Sequence, residues 1–195
     1  MAKPCETHWK ATKQILRYLK EIVNFGLLYA DASDVQLVGY SDSDLVVNPD
    51  DRKSTSGYDS NIGSRVISWS SKKQPIVSLS STEAEYKPLT SATCEAIWLR
   101  RILEVVGTQQ KQATRIQCDN QSSINLTHNL VYHARSKHIE LQHHFVPENI
   151  ESKEIELTYC STSENVVDIF TKLVGRIHIE DLRKKLGVVN HQFLH

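Results

Sequence analysis

The chain has 195 residues, of which 39% are apolar and 24% charged, with 23 basic side chains balancing 23 acidic ones. That length suits one good-sized core with an appendage, and the composition is ordinary for a soluble globular protein. A net charge of zero does not announce a nucleic-acid binder, although charge can still be segregated locally.

No apolar run approaches the ~18 residues needed to cross a bilayer, and Met1–His8 lacks the apolar core of a signal peptide. Cys5, Cys94, Cys118 and Cys160 are scattered without a Cys-x-x-Cys spacing and read as reduced thiols. These features point to an intracellular chain, in the cytoplasm or the nucleus, with no membrane partner.

In chain order, His8–Phe25 is predicted as an amphipathic helix. Ile15, Leu16, Leu19, Ile22 and Val23 make its apolar stripe, Lys10, Lys13, Arg17 and Lys20 its basic face, and Gly26 its stop. Leu27–Ala30 and Val35–Tyr40 flank a turn-rich tetrapeptide and suggest a short hairpin. Thr55–Ile62 and Ser64–Ser71 suggest a second one, joined near Gly63. Ser80, Ser81 and Thr82 offer N-caps for a long helix that runs to Val106 before Gly107. Arg115–Cys118 reads as a strand, Gln121–Thr127 and Ile139–Ile150 as helices, and Glu154–Cys160 as an alternating strand. Helical segments are expected at Asn165–Leu173 and Ile179–Leu186. Three antiparallel strands followed by strand–helix units imply an α/β fold with a mixed five-stranded sheet flanked by helices.

Four acids fall at the ends of these elements. Asp42 closes the first long strand, and Asp119 closes a later one that a right-handed crossover would make parallel to it. On the long helix, stepping back four residues from Leu89 along the apolar stripe reaches Glu85, so Glu85 faces the sheet. Glu83 lies about 200° away and stands four residues before Lys87, a favourable exposed pair. Asp168 is the lone acid in an apolar stretch after the last strand, and an inward carboxylate there needs a partner. Four converging carboxylates repel one another unless cations neutralise them, and an all-oxygen set selects Mg²⁺ or Mn²⁺. Two such ions ~4 Å apart support in-line phosphodiester cleavage.

The motifs Gly39-Tyr40-Ser41-Asp42-Ser43-Asp44, Asp51-Arg52-Lys53-Ser54-Thr55-Ser56-Gly57-Tyr58, Ile67-Ser68-Trp69-Ser70-Ser71-Lys72-Lys73-Gln74, Leu79-Ser80-Ser81-Thr82-Glu83-Ala84-Glu85-Tyr86, Cys118-Asp119-Asn120-Gln121 and Asp168-Ile169-Phe170-Thr171-Lys172 follow one another in this order. In that series the chain resembles the ribonuclease H domain of copia-type LTR retrotransposon Pol polyproteins. The resemblance covers about Val35 to Gly187, with residues 1–34 similar to the connecting tail of an upstream reverse transcriptase and residues 188–195 a tail. It implies a ribonuclease H-like fold and an endonuclease that hydrolyses the RNA strand of an RNA/DNA hybrid with two Mg²⁺ ions during reverse transcription. Asp42, Glu85, Asp119 and Asp168 match the family's acidic tetrad, serving as metal ligands and catalytic residues. Its partners would be the reverse transcriptase and integrase parts of the same polyprotein.

The connection Ser161–Glu164 carries no histidine, unlike that of many cellular relatives, and no long basic handle separates the central helices. Binding of the hybrid would then rest on Arg52, Lys53, Lys72, Lys73, Arg135 and Lys137. Pro88 lies one turn after Glu85 and is expected to kink the long helix or delay its start, which would leave Glu85 on a loop. Pro147 sits similarly in the later helix. A second reading is therefore open: a catalytically degenerate relic that at most binds nucleic acid. His133, His138, His143 and His144 lack the i, i+4 spacing of a helical zinc pair.

Overall fold

The computed structural model describes residues 3–29, 35–44, 52–63, 65–78, 80–128 and 137–191. Its centre is the expected sheet. Strands β2 (Leu37–Asp44), β3 (Thr55–Ile62) and β4 (Arg65–Lys73) form an antiparallel meander, and β5 (Thr114–Cys118) and β6 (Ile155–Tyr159) add in parallel on the other edge of β2. The spatial order is β4-β3-β2-β5-β6.

Period-two alternation covers both sheet faces. Leu37 and Ile67 pack towards Leu99 and Leu103 of the long helix α2 (Ser81–Val105). Tyr40 and Val66, of opposite parity along the same strands, pack on the other side against Val166 and Leu186. The main core joins Leu89, Ala92 and Ala96 of α2 to Ile116, Ile155 and Val146, the last from α4 (Lys137–Glu151). Full burial of one such leucine contributes about 1.5–3 kcal/mol. Helix α3 (Gln121–His128) follows β5 directly, and α5 (Asp168–Thr171) and α6 (Arg176–Lys185) cover the second face.

Three sequence expectations change. The hairpin between Leu27–Ala30 and Val35–Tyr40 does not form among the described residues. Instead β1 (Phe25–Leu27) pairs antiparallel with β7 (Val188–Asn190), a strand the periodicity did not reveal. The helix at Asn165–Leu173 shrinks to the single turn Asp168–Thr171, preceded by a turn in which the Asn165 side chain bonds both the Ser41 carbonyl and the Val167 N–H. The N-terminal helix α1 (Glu6–Glu21) forms, but Ile15, Leu16 and Leu19 stay exposed.

A further change concerns Pro88. Helix α2 begins at Ser81, where Ser80 caps it by accepting the Glu83 N–H at 3.1 Å, and it runs unbroken through Pro88. Proline cannot donate to the carbonyl four residues earlier, which is that of Ala84. The side-chain amide of buried Gln74 donates to this carbonyl at 2.9 Å. A side chain from the end of β4 thus replaces the missing backbone bond, and Glu85 remains helical. Helix α4 likewise continues past Pro147 to Glu151.

Asp59, mid-way along β3, is fully buried; one oxygen accepts from the Asn61 amide at 3.3 Å and the other has no partner. Burial holds its carboxyl well above the ordinary range. Between the unfolded and folded pKa values the folded chain then binds more protons than the unfolded one, so stability falls as pH rises above about 4, by up to ~1.4 kcal/mol per pH unit. Asp59→Asn removes that slope. Thermal melts from pH 4 to pH 8 are expected to show the variant gaining about 2 kcal/mol over the parent at the high end and little at the low end; parallel curves would rule this out.

Candidate metal centre

The site is built where β2 and β5 end. Their parallel register aligns Ser41 with Cys118, so the next residues, Asp42 and Asp119, stand level at the carboxyl ends of neighbouring strands, the usual place for ligand sites in such sheets. Asp42 is fully buried. It lies opposite Gly57 of β3, and directly paired residues project to the same face. That face is covered by α5: a Cβ on Gly57 would come within 2.6 Å of Thr171 Cγ2 and 2.8 Å of Val167 Cγ1. The bare glycine lets α5 approach Asp42, bringing Asp168, Thr171 and Lys172 with it.

Asn165 fixes this approach from the other side. It is completely buried, its amide donates to the Ser41 carbonyl at 3.0 Å, and its carbonyl oxygen accepts the Val167 N–H at 3.3 Å. Glu85 arrives from the first turns of α2 and is only 6% exposed. Glu83, as the helix phase requires, turns away and pairs with Lys87 at 3.3 Å, although it is half-buried rather than fully solvated.

Two overlapping groups of potential ligands result. Oxygens of Asp42, Asp119 and Asp168 lie within 4.8 Å of one another, and atoms of Glu85, Asp119 and Cys118 do so as well. Asp119 belongs to both. Thr162 donates to Asp119 at 2.9 Å. Asp42 is engaged at both oxygens, one taking the Thr171 hydroxyl and the other the Lys172 ammonium at 3.0 Å. Lys172 also reaches Asp168 at 2.7 Å.

The electrostatics match this crowding. Burial pushes the Glu85 carboxyl up to about 9, and the charges of Asp42 and Asp119 add to the effect. Burial also raises Asp42, opposed by the Thr171 hydroxyl and the Lys172 ammonium. For Lys172, burial works against the charged form, but the bonds to Asp168 and Asp42 outweigh it and hold the ammonium above the ordinary lysine range. The Cys118 thiol is pushed up to about 12 by burial, so it is protonated beside the acids. Glu85 keeps one buried oxygen without any hydrogen-bond partner. Such an oxygen is costly unless a cation meets it, and the hard oxygen donors around it suit a divalent ion such as Mg²⁺.

The basic residues divide. Lys72 and Lys73 are exposed and pair in register with Ser56 and Thr55, which face Ser43 and Asp44, so they share the acid end of the sheet. Arg52 is exposed, with a left-handed backbone (φ 54°), and Lys53 is half-buried just before β3. Arg135 and the side chain of Lys137 lie outside the described residues. Sequence reasoning missed Gln74, Asn165, Thr171 and Lys172 as parts of this centre. Only the position of Lys172 four residues after Asp168 hinted at an ion pair.

No family model matches the chain. The Pol polyprotein of the tobacco transposon TNT 1-94 is 40% identical over 188 residues, covering 96% of this chain and 14% of the polyprotein. That of the Arabidopsis thaliana transposon RE2 is 36% identical over 189 residues, covering 97% and 13%. The chain therefore spans about one seventh of the length of these relatives. Among solved structures, LC11 ribonuclease H1 in complex with an RNA/DNA hybrid superposes with a TM-score of 0.50 at 11% identity, covering 70% of this chain and 94% of that one. The likeness to that enzyme lies in the fold, and the sequence kinship lies with the transposon polyproteins. In sequence the chain is a homologue of one segment of the retrovirus-related Pol polyproteins of plant transposons, and its fold is that of ribonuclease H.

Proposed function

We propose that this chain is a divalent-metal nuclease that cuts the RNA strand of an RNA/DNA hybrid, and that Asp42, Glu85, Asp119 and Asp168 are its metal ligands and catalytic residues. The observation that carries the reading is the buried, unpartnered Glu85 oxygen beside a cluster of three acids drawn from separate elements. Evolutionary drift does not need to keep such an oxygen, whereas a cation site does. Two Mg²⁺ ions, or Mn²⁺ in their place, would supply the positive charge that activates a water and neutralises the leaving oxygen. Asp119, common to both ligand groups, is suited to hold both ions. Glu85 must give up its proton to serve as a ligand. Thr162 and Asn165 keep the surrounding backbone and Asp119 in place. Lys72, Lys73, Arg52 and Lys53 stand near enough to the acid end of the sheet to take backbone phosphates, with Arg135 and Lys137 as further candidates. Discrimination of RNA from DNA would rest on the 2′-hydroxyl, which only the RNA strand offers. The relatives' length makes the reverse transcriptase and integrase of one Pol polyprotein the natural partners. The relic reading loses its main support, since α2 passes through Pro88 with Glu85 in place.

The test is cleavage of an end-labelled RNA/DNA hybrid by the 195-residue chain with Mg²⁺. Asp42→Asn and Glu85→Gln are each expected to lower the rate by at least about 10²-fold, the scale for removing one preorganised electrostatic group. Because Glu85 must lose its proton to meet the ion, and burial holds that proton on in the metal-free chain, the Mg²⁺ concentration needed for half-maximal cleavage should fall as pH rises. A parent that leaves the hybrid intact, or variants that cut equally well, would sink the reading.

A further inference from the structure

The acid cluster already contains a cation of its own. Lys172 Nζ lies 3.0 Å from Asp42 Oδ1 and 2.7 Å from Asp168 Oδ1, a bridge between two of the three carboxylates that form one ligand group. Its side chain is 27% exposed, so the stem has a way out to solvent while the head stays among the acids. Leu173, the next residue, is fully exposed, and the single-turn helix ends at Lys172, whose N–H caps the Asp168 carbonyl at 3.0 Å.

A divalent ion bridging Asp42 and Asp168 would need oxygens at ~2.1 Å and could not coexist with an ammonium at the same bridging point, on grounds of both volume and like charge. We propose that Lys172 is a tethered stand-in for the metal: it holds Asp42 and Asp168 together before an ion arrives, competes with that ion for them, and swings out to solvent when the ion enters. The inference rests on the metal-site reading above and makes Lys172 a positioning residue, not a ligand. Two opposed effects follow from one contact. The chain without metal gains stability from Lys172, because the buried carboxylates are never left uncompensated. The same contact weakens metal binding.

A merely structural lysine would lower stability when removed and leave metal affinity the same or worse. A competing lysine does the reverse to affinity. Lys172→Met is therefore expected to melt earlier in EDTA and yet bind Mn²⁺, titrated calorimetrically as the probe, at least about tenfold more tightly, as removal of one close like charge implies. Lys172→Arg, which keeps the charge, should restore both the parent's stability and its weaker affinity. Equal or weaker Mn²⁺ binding by Lys172→Met overturns the proposal.

Should Lys172→Met fail to fold, the parent chain gives a second readout. Acetylation mapped by mass spectrometry is expected to show Lys172 becoming several-fold more reactive when MgCl₂ is added, while Lys72 and Lys73 stay unchanged. No increase at Lys172 overturns the proposal. The nuclease reading fails separately: a parent that exposes Lys172 on adding Mg²⁺ but cuts no hybrid removes the proposed function and leaves the competition standing. A parent that cuts the hybrid with Lys172 reactivity unmoved does the opposite.

Discussion

Gly57→Ala is expected to lower cleavage of the hybrid by about 10²-fold, the loss that follows a misplacement of about 1 Å at a catalytic group, although Gly57 carries no functional atom. The added methyl meets Thr171 and Val167 at distances that real carbon atoms do not tolerate. Both of those side chains are short and β-branched, so neither can swing its end aside as a lysine or methionine would. The helical turn itself must retreat, taking Asp168 away from Asp42 and breaking the Thr171 hydroxyl's bond to the Asp42 carboxylate. Overpacking of this kind costs about 1–3 kcal/mol, offset in part by the better strand propensity of alanine. Urea melts and cleavage rates taken on the same preparations check both numbers. Gly175→Ala is the control, because a Cβ there meets nothing within 4 Å. Unchanged cleavage by Gly57→Ala would show that α5 is not seated by this glycine.

Gln74→Ala is expected to destabilise the fold by about 2–4 kcal/mol, as a buried carbonyl and a half-buried hydroxyl each lose a donor. Gln74 is almost completely buried and serves two elements at once. Its amide donates to the Ala84 carbonyl and, at 2.8 Å, to Ser56, and its oxygen accepts from Ser78 at 2.7 Å and Lys87 at 3.3 Å. The sharper test is a double-mutant cycle with Pro88→Ala. Alone, Pro88→Ala regains a backbone N–H but gives up buried ring carbons, and Ala84 already has a donor, so little net change is expected. In the Gln74→Ala background the regained N–H stands one helical turn after Ala84 and can take up its carbonyl. Pro88→Ala should then recover about 1 kcal/mol more than it does in the parent. Additive effects would mean that Gln74 does not substitute for the missing helical bond.

The pair also explains where reading the sequence succeeded and stopped. Strand alternation, helix phase and chain order were enough for the five-stranded sheet, for Asp42 and Asp119 at neighbouring strand ends, and for Glu85 rather than Glu83. Each of these follows from a local period acting over several residues. Pro88 misled because its cost was reckoned within the helix, whereas its compensation comes from Gln74, which follows β4 and lies outside the helix. Lys172 and Thr171 were hidden for a related reason. Their importance depends on a turn of four residues, too short for any periodic signal, and on a glycine in another strand. The pairing of β1 with β7 was invisible because each strand has three residues and gains its meaning only from the other.

The four acids also have an order of arrival. Asp42 lies in the first strand of the large sheet, Glu85 and Asp119 follow through the crossover, and Asp168 comes after β6, the last strand of that sheet. Contacts of such long sequence separation close late and slowly as a chain folds. A divalent ion that needs Asp42 and Asp168 together can be captured only once the sheet is complete and α5 has docked beside Gly57. Metal uptake would thus be a clock as well as a chemical event, marking the moment at which a newly made chain has finished folding.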